Sequence, residues 1–155
     1  MAKKKTWTEK LEDSKDLPKV ETIAGKMMRT WGQGTLVIPA PKEVDEVMRK
    51  VPYGKVTTIN EIRSVIARKH KTTICCPITA GIFARIAAGA AEEQRATTKD
   101  ITPYWRTLRV GGIINKKYPG GAEGQRKLLE EEGHTIAKKG KNFIVSDYIE
   151  TLAKL

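Results

Sequence analysis

Apolar residues at Val44, Val47, Met48 and Val51 follow the three-and-four spacing of a helix with one buried face, and Pro41 suits its first turn. A short apolar run, Thr35 to Ile38, precedes it. Val51-Pro52-Tyr53-Gly54-Lys55-Val56-Thr57-Thr58 reads as a turn leading into a second helix, striped by Ile62, Val65 and Ile66. Thr58 with Glu61 three residues on predicts a capping box there. After the polar stretch Lys69 to Thr73, Pro77 opens a further helix. Ile78, Ile82, Ile86 and Ala90 share one face with Phe83 beside them, while Ala80, Ala84, Ala87 and Ala91 form a small, uncharged opposite side. The alanine side reads as a smooth outer face or as a surface for close helix packing. Ala122 to Glu132 predicts a last helix, with Leu128 and Leu129 inward and Gly133 as its stop. His134 to Ala137 and Asn142 to Ser146, joined by Lys138-Lys139-Gly140-Lys141, predict a strand-turn-strand with a basic tip.

The pattern is mainly α with a small β-hairpin. Residues 1–34 read as an N-terminal extension, with a basic tip at Lys3 to Lys5, Trp7 and Leu11 as anchors, and a turn at Asp16-Leu17-Pro18. Trp31-Gly32-Gln33-Gly34 marks a break, and residues 35–155 form the domain proper.

With 155 residues the chain suits one core, and 29 Lys+Arg against 18 Asp+Glu give a net charge of +11. That balance favours a polyanion such as DNA, RNA or an anionic membrane surface. No apolar run approaches the ~20 residues of a membrane span, and the lysine-rich start has no secretory core, so a cytoplasmic address is expected. Cys75 and Cys76 are neighbours and unsuited to bridging each other; His70 and His134 stand alone. No cysteine–histidine set has zinc spacing, so no metal or cofactor is expected. Cys75 and Cys76 read as small half-buried side chains, or as reactive thiols at a helix start.

Three segments carry a resemblance to a known family. Pro103-Tyr104-Trp105-Arg106 resembles the Pro-Cys-His-Arg active-site motif of O6-alkylguanine-DNA alkyltransferases. Val51 to Thr58 resembles the motif that opens that family's helix-turn-helix. Tyr118-Pro119-Gly120-Gly121, followed by Leu128-Leu129 and Glu132-Gly133-His134, resembles its Tyr-x-Gly-Gly stretch and Leu-Leu…Glu-Gly ending. Order and approximate spacing agree across Pro41 to Ile136. The resemblance implies a winged helix-turn-helix like the family's C-terminal domain, entering the minor groove and turning a nucleotide out into a pocket.

In the family the cysteine takes an alkyl group from guanine and the histidine helps to ionise it. Here Tyr104 and Trp105 stand in their places. A phenol with a pKa near ~10 is a poor nucleophile, and indole has no lone pair to act as a base. The resemblance therefore implies an alkyltransferase-like protein that binds O6-alkylguanine in double-stranded DNA without repairing it, with no catalytic residue and excision-repair proteins as further partners. The implied pocket comprises Tyr104, Trp105, Arg106, Tyr118, Gly120, Gly121 and Glu132. Tyr118 to Gly121 would form a wall, Arg106 would brace the motif, and Glu132 would lack the histidine it orients elsewhere. Tyr104 and Trp105 would either stack on an extruded base, worth roughly 1–3 kcal/mol, or fill the former pocket as core. Candidate DNA contacts are Thr58, Thr79, Ala80, Arg85, Lys116, Lys117, Lys138, Lys139 and Lys141. Ile59 stands where the family has a phosphate-pressing tyrosine, and Ile78 to Gly81 where it has a base-replacing arginine. Two other readings remain open: a methyltransferase that uses Cys75 or Cys76, and a retained fold that now binds protein.

Overall fold

The computed structural model describes residues 4–155; Lys3, expected in the basic tip, lies outside them. Helix α1 (Trp7–Glu12) begins at Thr6, whose hydroxyl accepts from the Glu9 amide while the Glu9 carboxylate accepts from the Thr6 amide, at 3.1 and 3.3 Å. Then follow β1 (Lys19–Thr22), the short α2 (Met27–Trp31) and β2 (Thr35–Ile38). Helix α3 (Pro41–Arg49) has proline in its first turn, as predicted. Strand β3 (Thr57–Thr58) leads into α4 (Ile59–Lys69), where the Thr58 hydroxyl accepts from Glu61 N–H at 3.4 Å. Strand β4 (Ile74–Cys75) and the long α5 (Pro77–Gln94) come next. A 3-10 turn (Tyr104–Arg106), β5 (Thr107–Leu108), α6 (Gly121–Glu131), β6 (Ile136–Lys139) and β7 (Asn142–Val145) complete the main elements.

The mainly helical expectation holds, but the hairpin is not the only sheet. Strand β2 lies between β1, antiparallel, and β4, parallel; β3 and β5 form a second, parallel pair. In the hairpin Lys139 faces Asn142, leaving Gly140 and Lys141 as the turn, and Gly140 supplies the positive φ of +62°. Polar Lys19 to Thr22 gave no alternating pattern, and a two-residue β4 is too short to show one.

On helix α5 the alanine side is the close-packing surface, not an outer face. Ala80, Ala84, Ala87, Ala88, Ala90 and Ala91 are buried, whereas Ile78 and Ile82 are 64% and 51% exposed. The cause is crowding: α1, α3, α4 and the 3-10 turn all pack on this helix. Small side chains let several backbones approach at once, so bulk is pushed to the free side. Ala80, expected at the DNA face, is therefore core.

The segment before residue 35 is built into the body. Leu11 is buried in the main core with Val44, Met48, Ile62 and Ile66. The Glu93 carboxylate on α5 accepts from the Trp7 and Thr8 amides at 3.1 and 2.7 Å. The Trp7 ring lies over Gly89, where a Cβ would fall 2.4 Å from it. Strand β1 pairs with β2 across the predicted boundary at residue 34. His70 is not isolated either: its Nε2 lies 2.6 Å from a Glu43 carboxylate oxygen that also accepts from Lys69 at 2.9 Å. Among the described residues no helix is long and apolar enough to cross a membrane.

Candidate nucleic-acid interface

The altered motif forms the 3-10 turn between α5 and β5 and is packed rather than open. Tyr104 is 1% exposed. Its ring meets Trp105 and Tyr118 edge-on, with centroids 5.3 and 5.7 Å away. Its hydroxyl donates to Glu92 on α5 at 2.5 Å. Burial, and then the Glu92 bond, push the phenol far above its ordinary pKa. Tyr104 thus holds a proton tightly and fills the space as core.

Glu132 has no histidine beside it, as expected, but Trp105 supplies a ring N–H instead: the indole donates to Glu132 at 2.7 Å. Arg106 donates to the same carboxylate from Nε and Nη2, at 2.9 and 3.0 Å, and from Nη1 to the Val51 carbonyl at 2.8 Å. The Gly54 amide adds a further bond at 3.1 Å. Burial alone would raise the Glu132 carboxyl, but the bonds from Arg106 and Trp105 outweigh it and hold it below the usual carboxylate range. The network ties the 3-10 turn to the end of α6 and to the turn before β3. Trp105 also lines a separate surface depression with Arg49, Lys99, Pro103 and Arg106, while its ring meets Tyr104 edge-on.

The open cleft lies elsewhere, between α5 and residues 108–118. It has a volume of about 640 Å³, and Ile59, Ala84, Leu108 and Tyr118 are among its apolar lining. Arg85, Arg109, Lys116 and Lys117 give it a basic rim, and none of the four is ion-paired among the described residues. Tyr118 is thus the one residue of the expected pocket to line this cleft, and it does so while 4% exposed. Gly120 and Gly121, with φ of +83° and +66°, shape the bend into α6 instead. Of the expected DNA contacts, Arg85, Lys116 and Lys117 converge on the rim. Thr58 is buried, with its hydroxyl committed to its helix cap, and Thr79 has a buried hydroxyl with no partner. Lys138, Lys139 and Lys141 are exposed at the hairpin tip. The hairpin holds the cleft wall from behind, through Ile114 N–H to Phe143 O at 2.9 Å and Val145 N–H to Gly112 O at 3.0 Å.

Sequence reasoning missed Arg109, Val110 and Leu108, whose signal was only their place between the active-site-like motif and Gly111-Gly112. Neither thiol lines the cleft. Both are free and buried, and burial pushes the Cys75 thiol up to about 12.

Solved structures with a similar fold include S. pombe Atl1 in complex with damaged DNA containing O6-carboxymethylguanine. The two share 24% identity over 74% of this chain and 94% of that one, with a TM-score of 0.50. A second is S. pombe ATL in complex with DNA, at 24% identity, the same coverage and a TM-score of 0.51. No protein-family model matches the chain, and no curated protein does. The likeness shows the fold: helices with small sheets arranged as in Atl1.

Proposed function

We propose that this protein is an alkyltransferase-like DNA-binding protein that engages alkylated guanine in duplex DNA without accepting the alkyl group. The observation that carries the reading is the cleft between α5 and residues 108–118, whose basic rim has no ion pair among the described residues, in a fold similar to structures solved with DNA. In this reading α4, the β4 connection and α5 act as a helix-turn-helix, and the β6–β7 hairpin acts as its wing. Arg85, Arg109, Lys116 and Lys117 contact phosphates, with Lys138, Lys139 and Lys141 adding to them. Phosphate contacts position the protein, and the cleft does the discriminating. An extruded base meets Tyr118, Leu108 and Ile59, not the Tyr104–Trp105 pair. Transfer of the alkyl group is disfavoured because Tyr104 keeps its proton and Trp105 offers Glu132 a donor.

Fluorescence anisotropy with labelled duplexes tests the binding. Four to six phosphate contacts give a log–log salt slope of about −4 to −5, and changing Lys138, Lys139 and Lys141 together to Ala flattens it. Affinity that ignores salt between low and physiological strength refutes the reading. A duplex carrying a labelled O6-methyl group should leave no label on the protein; stoichiometric labelling lost in a Cys75→Ala or Cys76→Ala variant would favour a methyltransferase.

A further inference from the structure

Crowding on the alanine side of α5 explains why bulk lies on its free side, but not why that bulk is apolar where it faces the cleft. Ile78 and Ile82 lie four residues apart on α5, one turn and roughly 6 Å along the axis, and are 64% and 51% exposed. Val110, 55% exposed, lines the same cleft from the opposite wall. Gly81 lies between the two isoleucines and adds no polar group. Three branched apolar side chains are therefore held in water at the mouth of a cleft rimmed by Arg85, Arg109, Lys116 and Lys117. An occupant that removes them from water must present apolar surface and negative charge together. Stacked bases between two phosphate chains do so. An acidic protein surface supplies the charge without flat apolar faces.

Resting on the DNA-binding reading above, we propose that Ile78 and Ile82, faced by Val110, form an apolar wedge that enters a base step of duplex DNA and parts its stack. Apolar wedges of this kind unstack a step at a cost of a few kcal/mol and kink the duplex. An isoleucine offers no hydrogen bond to the base whose partner is displaced. The cost is therefore least where pairing is already impaired, and the wedge selects mismatched steps whether or not they carry an alkyl group. The basic rim supplies affinity, and the wedge chooses the site.

The test uses the full chain with matched and single-mismatch duplexes, each carrying 2-aminopurine beside the probed step. Wild type should bind the mismatch on the order of tenfold more tightly and raise 2-aminopurine fluorescence, the signature of unstacking. The Ile78→Ala/Ile82→Ala variant should bring the ratio close to one and abolish the fluorescence rise, while the salt slope, set by the basic rim, stays that of wild type. Both positions are exposed, so the variant should melt with wild type; Ile82→Leu, which keeps the bulk, should keep the preference. A wild-type ratio near one with salt-dependent binding intact overturns the wedge and spares the DNA-binding reading. An unchanged ratio in the double variant does the same. Tighter binding to anionic phospholipid vesicles than to any duplex overturns both.

Discussion

Removing the Glu132 carboxylate should be among the most destabilising single changes in this chain. Glu132 and Arg106 side chains are 5% and 13% exposed, so the pair is held away from water. In Glu132→Ala the guanidinium keeps one bond, to Val51 O at 2.8 Å, and loses its counter-charge. The Trp105 indole N–H and the Gly54 amide lose their acceptor as well. Breaking a buried pair by deleting one partner costs about 3–5 kcal/mol. At roughly 2–4 °C per kcal/mol for a chain of this size, melting should fall by ~6–20 °C. Glu130→Ala is the control: its pair with Arg126 is 49% and 36% exposed, and such surface pairs contribute at most about 1 kcal/mol. The two variants are compared by urea unfolding followed through tryptophan fluorescence. The acid limb adds a second readout. With its folded pKa depressed, Glu132 contributes stability that is present above the unfolded value of about 4.3 and lost as pH falls through the folded one. Glu132→Gln should therefore unfold with a shallower acid limb. If Glu132→Ala cost no more than Glu130→Ala, the network would be ornamental and the reasoning refuted.

Cys75 is buried with its thiol pushed up to about 12, so native protein at pH 8 should resist iodoacetamide at this residue, and modification should appear only on adding denaturant; rapid native labelling of Cys75 by mass spectrometry contradicts this. His134 is held below the ordinary histidine range by burial, and its Nε2 lacks a partner. Its contribution should be full above an unfolded pKa of about 6.5 and be lost as pH falls through the lower folded value; denaturation series at pH 7.5 and 5 should show a smaller difference in His134→Gln than in wild type. Gly89→Ala would set a Cβ 2.4 Å from the Trp7 ring, so α1 should lift from α5, seen as lost near-ultraviolet circular dichroism and faster proteolysis near residue 7; an unchanged spectrum contradicts the packing.

The starts of α3, α4 and α5 and the end of α6 were legible because each was signalled locally: proline in the first turn of α3 and α5, Thr58 before α4, Gly133 after α6; α1 and α2 were not. The facing of α5 admits two readings from sequence, since a row of alanines suits close packing while hydrophobicity argues that isoleucine goes in and alanine out. A helix packed by three others reverses that order, and only the three-dimensional crowding reveals it. The Glu132 network was half legible: tryptophan and histidine share a ring N–H donor, so the substitution at residue 105 keeps a bond to the carboxylate. The cleft needed the structure, because Arg85 on α5 and Arg109 after β5 are brought to one rim by the fold, not by any spacing in sequence.

The packing of Tyr104 limits what chemistry its position could acquire. A cysteine placed at position 104 would sit where the phenol ring is, leaving a void beside Tyr118. Its thiol, one bond from Cβ, would stay buried well short of Glu92, and burial keeps sulfur protonated. Trp105 could not take the proton, and it would still occupy Glu132. Nucleophilic chemistry at this turn would therefore require residues 104 and 105 and their packing against Tyr118 and Glu132 to change together. The turn works as a latch, closed by one hydroxyl on Glu92.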